Sequence, residues 1–160
     1  MQRRGVLDSG RNVAYTIIMA EETKRIAREC LGYRARLLSR LVSATYDEAL
    51  AKSGVKVSQF TLLNAAANSE STRPSELAKL LAMDESTLSR NIDRMCSRGW
   101  LRLEEGDEDR RSHRIVITPK GAALLKKAYP AWLKAQSEVS RRMGPDGVSA
   151  LKSVIDKLRS

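Results

Sequence analysis

Between Ser86 and Arg94 the chain carries three hydroxyl side chains, Ser86, Thr87 and Ser89, and two guanidinium groups, Arg90 and Arg94. On a helix, at about 100° per residue, Leu88, Ile92 and Met95 share one narrow arc. Ser86, Arg90, Arg94 and Ser97 fall opposite it, with Thr87 and Ser89 at the flanks. Hydroxyl and guanidinium groups bond base edges and phosphate oxygens. An Arg can grip a guanine through two parallel hydrogen bonds, and short Ser and Thr side chains let a helix backbone approach a groove. An ordinary solvated helix face has the same look, so the weight of this reading rests on what surrounds the helix.

A second cluster lies downstream, where Arg110, Arg111, His113 and Arg114 follow the acids Glu105, Asp107, Glu108 and Asp109. Asp109 is placed to hold the Arg111 guanidinium in one rotamer by a charge-assisted bond, which would suit insertion into a narrow minor groove. The plainer alternative is an exposed ion pair worth at most about 1 kcal/mol. His113 is the only histidine and has no nucleophile or ligand set near it in sequence. Cys30 and Cys96 fit neither a disulfide scaffold nor a four-ligand zinc site. No catalytic residue, metal site or cofactor is therefore expected, and an enzyme is the weaker reading.

These groups need a frame. Ile26, Cys30, Tyr33, Leu37, Leu41 and Ala44 recur at three- and four-residue steps, which predicts one long amphipathic helix from Glu21 to about Lys52, ended by Gly54. Ser58 is expected to cap a second helix bearing Phe60, Leu63 and Ala67. Pro74 and Glu76 suit the first turn of a short third helix with Leu77, Leu80 and Leu81 on its apolar face. Asp84 would cap the fourth, which carries the hydroxyl and guanidinium groups, and Gly99 would stop it in a left-handed conformation. Trp100–Glu104 and Ser112–Ile117 alternate like two strands of a hairpin, with the acidic and basic loop as its tip. Thr118 and Pro119 open a fifth helix with Leu125, Tyr129, Trp132, Gln136, Val139 and Met143 near one face. Pro130 should bend it, and Gly144 and Pro145 mark a stop and restart before Val148, Leu151, Val154, Ile155 and Leu158. Residues before Glu21 show no sustained period and read as a flexible extension.

The 160 residues have a formal net charge of +10, which favours a polyanionic partner. The excess is not in the central segment: residues 56–121 hold 11 basic and 10 acidic side chains, residues 122–160 hold 8 and 3, and residues 1–55 hold 10 and 6. A crude polycationic glue is thereby disfavoured. No apolar run approaches the roughly 20 residues needed to span a bilayer, so no membrane association is expected. Two unpaired cysteines suit a reducing cytoplasm.

The order of elements, the Ser75-Glu76-Leu77-Ala78 helix, the Ser86-Thr87-Leu88-Ser89-Arg90 helix, the Arg98-Gly99 stop and the string Asp109-Arg110-Arg111-Ser112 running into Ile117-Thr118-Pro119-Lys120-Gly121 together resemble the MarR family of bacterial regulators. The resemblance covers about Cys30 to Leu158. It implies a mainly α fold with a small β-hairpin wing, a winged helix-turn-helix with N- and C-terminal dimerisation helices. The expected division is an extension over 1–20, a dimerisation helix over 21–55, the DNA-binding part over 56–118 and further dimerisation helices over 119–160. It also implies a homodimer on double-stranded DNA with a pseudo-palindromic operator, half-sites about 10 base pairs apart, and transcription control, usually repression.

The expected DNA-contact set is Ser58, Ser75, Ser86, Thr87, Ser89, Arg90, Arg94, Asp109, Arg111 and His113. Many members of the family release DNA when a small aromatic or phenolic effector binds. Tyr33, Arg34, Arg36, Tyr46, Tyr129 and Trp132 are the residues to search for such a pocket, although aromatic residues on these helices also serve as interface core. Cys30 invites comparison with the peroxide-sensing members, in which a cysteine of the first helix is oxidised. Aligned on Tyr46 and Gln59, that cysteine would fall at Gly32, so the register favours a small apolar interface residue over a redox centre. A winged helix used for protein contacts is the other alternative.

Overall fold

Asp84, Gly99 and Thr118 punctuate the middle of the chain, and each does so through a specific hydrogen bond or a backbone conformation. A computed structural model describes the backbone of residues 9–68, 73–105 and 113–160, with side chains from residue 19 onward. The chain divides into two units, Met1–Leu41 and Val42–Ser160.

In the first unit, helix α1 covers Ser9–Glu29 and helix α2 begins at Leu31, extending to Leu50. The single helix expected from Glu21 is thus divided at Cys30, and α1 starts well before the boundary placed at residue 20. The division is local. The Cys30 N–H still bonds the Ile26 carbonyl at 2.9 Å and the Arg34 N–H the Cys30 carbonyl at 3.2 Å, while the Tyr33 N–H donates to Cys30 Sγ at 3.4 Å. Ile26, Tyr33, Leu37 and Leu41 all remain exposed. This unit therefore presents an apolar face that it does not itself cover.

The second unit holds the core. Leu50, Leu62, Leu63, Leu77, Leu88, Met95, Leu101 and Ile115 are all but fully enclosed. A 3-10 turn, Ala51–Ser53, ends at Gly54 in the left-handed region, where φ is 72°. Helices α3 (Val57–Ala67), α4 (Pro74–Leu81) and α5 (Glu85–Ser97) follow. An antiparallel hairpin then pairs β1 (Leu101–Glu105) with β2 (His113–Ile117), Leu101 opposite Ile117 and Glu105 opposite His113. The loop between them, with Asp109 and Arg111, lies outside the described residues.

Ser58 is not the cap of α3. That helix begins one residue earlier, and its first N–H donors go elsewhere: Lys56 N–H to Gln59 Oε1 at 3.1 Å and Val57 N–H to Asp47 Oδ1 at 2.7 Å. A carboxylate from the preceding helix supplies the acceptor for which a local serine was expected. The face of α3 is correspondingly shifted, with Leu62 and Ala66 joining Phe60 and Leu63 inside while Ala67 is exposed. Leu80 of α4 likewise stays outside, and Ala78 takes the buried place beside Leu77.

Helix α6 covers Pro119–Arg159. Thr118 fastens its start to the hairpin: its hydroxyl donates to the Gly99 carbonyl at 2.7 Å and accepts from the Gly121 N–H at 3.0 Å, and its own N–H reaches the Trp100 carbonyl at 3.1 Å. The buried seam of α6 is Gly121, Ala128, Ala135 and Val139, and Tyr129, expected on it, is exposed. Three small residues at seven-residue steps let the helix axis approach its neighbours, so Leu125, Trp132 and Met143 flank the seam, half-buried. Pro130 lies within the helix without leaving helical dihedrals. The interruption is at Gly144, with φ 71° and ψ 166°, where the stop was expected.

Candidate nucleic-acid interface

The Asp84 carboxylate opens α5. Its Oδ1 accepts from the Thr87 N–H at 2.8 Å and from the Ser86 hydroxyl at 2.7 Å. The Ser86 hydroxyl foremost, then Thr87 through side chain and backbone, holds the Asp84 carboxyl down to about 2. The turn before it is tight. Ala82 sits in the left-handed region, with φ 50° and ψ 43°, and Met83 N–H returns to the Ala78 carbonyl at 2.9 Å.

Leu88, Ile92 and Met95 form the buried arc of α5, and Ser86, Thr87, Ser89, Arg90, Arg94 and Ser97 are all exposed. Arg90 lies back along the helix: Nε donates to the Ser86 carbonyl at 3.1 Å and Nη2 to the Ser86 hydroxyl at 3.0 Å. Guanidinium has five N–H donors, so three are left to point outward. The Ser97 hydroxyl donates to the Arg94 carbonyl at 2.8 Å. Asn91, half-buried and absent from the expected set, donates to the Thr87 carbonyl at 3.0 Å.

A groove of about 430 Å³ runs between α4, α5 and the hairpin, with Ser75 on one side, Ser89 and Asp93 on the second, and Leu103 and His113 on the third. Ser75, Ser89 and His113, far apart in sequence, thus meet around one channel. Ser58 stands outside it, exposed in the first turn of α3. The arrangement offers hydroxyl and guanidinium donors on a rigid, capped helix, flanked by a hairpin whose position is fixed by Thr118.

The residues expected to line an effector pocket separate into two groups. Tyr33, Arg34 and Arg36 belong to the first unit and are exposed; the Arg34 guanidinium bonds the Arg28 carbonyl. In the second unit Tyr46 is buried, its hydroxyl bonded to Gln136 Oε1 and its titration pushed up by burial. Trp132 stacks on Phe60 at 6.2 Å between ring centroids, and Tyr129 stacks on Trp132 at 5.8 Å. These three rings line a cleft of about 300 Å³ with Thr61 and Asn64. Sequence periodicity marks Phe60 as core and gives no sign of the two polar partners. Cys96 is half-buried beside α5's apolar arc, and burial first, then Asp93, pushes its thiol up. Among the described residues no group of His, Cys, Asp and Glu could hold a metal ion, and no helix is long and apolar enough to cross a membrane.

Comparison with known proteins adds to this geometry. A model described as the MarR family matches residues 53–112. The crystal structure of the M. tuberculosis transcriptional regulator MosR is 32% identical, covering 81% of this chain and 97% of that one, with a TM-score of 0.68. The multiple antibiotic resistance protein MarR of Salmonella typhimurium is 26% identical over 65% of this chain and 73% of its own length. A mutant E. coli MarR complexed with operator DNA has the same fold, with a TM-score of 0.74 at 23% identity over 84% of this chain and 96% of that one.

Proposed function

This chain belongs to the MarR family, and from that premise we propose that it is a homodimeric DNA-binding transcription regulator that reads a pseudo-palindromic operator and represses until a small aromatic or phenolic effector binds. The observation that carries the reading is α5: capped by Asp84, anchored by Leu88, Ile92 and Met95, and bearing Ser86, Thr87, Ser89, Arg90 and Arg94 outward. A helix so held can enter a major groove without losing order. Arg90 supplies the guanine-reading group, Ser75 and His113 approach the phosphates from either side, and Arg94 follows along the helix. From its place in the sequence beside Asp109, Arg111 is the residue assigned to the adjacent minor groove. Ser58 stands apart from the groove, exposed in the first turn of α3.

The division of labour follows the exposed apolar faces. Residues 21–55 and 119–160 carry the dimer contacts, with Ile26, Leu37, Leu41, Val154, Ile155 and Leu158 exposed on the single chain, and residues 56–118 carry DNA reading. Two copies would set α5 helices about 10 base pairs apart on one side of the duplex. The cleft edged by Tyr129 and Trp132 is at the small end of ligand sites, which run from about 300 Å³ upward. It suits a single aromatic ring. The protein works in the cytoplasm and performs no catalysis.

A salt-dependent gel shift tests the reading directly. Specific duplexes should bind about a thousandfold or more tighter than random DNA at physiological salt. Equal binding to all sequences would leave the winged helix a different job, such as protein contact.

A further inference from the structure

Asp47 has no part in the chemistry above, yet both of its carboxylate oxygens are engaged by the element that follows. Oδ1 accepts the Val57 N–H at 2.7 Å, and Oδ2 lies 3.3 Å from Lys56 Nζ. The Asp47 side chain is 28% exposed and that of Lys56 70%, so the amide bond is the sheltered member of the pair. With Gln59 taking the Lys56 N–H, Asp47 completes the start of α3 from the far side of a turn.

Packing leaves that turn itself open. Gly54 is left-handed with φ 72°, and a Cβ built there would meet nothing within 4 Å. On either side the chain is fixed: Leu50 and Val55 are buried in the core. α3 in turn packs against both β2 and α6, so a shift of its N-terminal end is passed to the hairpin as well as to the helices. A sterically open glycine bridged by one sheltered carboxylate has the form of a hinge with a polar latch.

We infer that Asp47 is a positioning residue for DNA reading: by holding the start of α3 against the C-terminal half of α2 across Gly54, it fixes where the reading helices stand in the dimer and so which half-site spacing the dimer accepts. The inference rests on the proposed function above, because spacing has meaning only for a dimer that reads two half-sites. Asp47 touches no base. Its loss should alter the geometry between the two readers and leave each reader's preference among bases as it was.

The experiment measures affinity of the full chain for operators whose half-site centres are moved apart or together by single base pairs, and for the best operator with one base pair changed inside a half-site. Wild type should favour one spacing over its neighbours by about tenfold or more, the size of penalty a misplaced contact brings. Asp47→Ala should flatten that preference to within about threefold while the penalty for the changed base pair is retained. Asp47→Asn keeps an oxygen for the Val57 N–H and should restore most of the spacing preference; Lys56→Gln should leave it unchanged. Should Asp47→Ala fold poorly, Asp47→Ser, with a shorter acceptor, takes its place in the series. An unaltered spacing preference with only a lower melting temperature would reduce Asp47 to a helix cap and overturn the inference. Parallel loss of spacing and base preference would overturn it too, as general loosening. Wild type that binds no duplex selectively would instead remove the proposed function beneath it.

Discussion

Arg90 holds Ser86 twice, and this contact decides what its substitution should do. With Nε and one Nη on Ser86, the guanidinium is already oriented along the helix, so little rotamer entropy is left to lose on reaching a base. Arg90→Ala should cost about 1–3 kcal/mol of discrimination between operator and random duplex, read by competition anisotropy, with the dimer unaffected. Asp84 makes a prediction of the opposite kind, about stability and pH. Its carboxyl is held at about 2 in the folded chain against 3.8 ordinarily, so its stabilising effect is complete above pH 5 and fades as pH falls from 4 toward 2. Melting curves of wild type and Asp84→Ala should therefore differ at neutral pH and converge near pH 2. A gap that stays constant down to pH 2 would mean that the charge is not what stabilises the cap. Ala82 pays for its left-handed backbone, and Ala82→Gly should raise stability by about 0.5–1 kcal/mol in chemical denaturation, the relief less the added chain entropy.

Among elements, α5 and the hairpin were readable from sequence and α6 only in outline, for a physical reason. Asp84, the Leu88–Ile92–Met95 arc and Gly99 are local signals that depend on neighbours three or four residues away. The α6 seam is made largely by residues too small to register as hydrophobic: Gly121, Ala128 and Ala135 are buried, and at Gly121 the opposing Trp100 backbone comes close. A Cβ on Gly121 would lie 2.2 Å from the Trp100 carbonyl oxygen and 2.9 Å from Ile117 Cγ1. Gly121→Ala should thus lower unfolding free energy by about 2–3 kcal/mol, with α6 forced off the hairpin base. The cap of α3 escaped sequence reading for another reason, since Asp47 is ten residues from Val57 and meets it only because the turn at Gly54 brings them together. Ser58 is the local candidate because the N-cap position favours serine. Trp132 reads in the sequence as a residue of an effector pocket or of an interface core, and in the fold it stacks on Phe60 of its own chain, a contact that periodicity does not reveal.

At the scale of the whole molecule, apolar side chains left uncovered in both units are the strongest physical argument for a second copy. Ile155 and Leu158, exposed at 43% and 83%, contribute nothing to the core of the single chain. Ile155→Asp with Leu158→Asp should therefore shift sedimentation from dimer toward monomer while leaving the melting of the reading region nearly unchanged. Net charge tells less: residues 56–121 are almost balanced, so affinity for DNA must come from placement of a few donors more than from a bulk field. The most direct measurement is recovery of duplexes bound by the full chain from a random library, followed by sequencing. Inverted repeats with half-site centres about 10 base pairs apart should be enriched if paired α5 helices read the operator. Recovery of unrelated sequences, or of lone half-sites without a repeat, would contradict that reading.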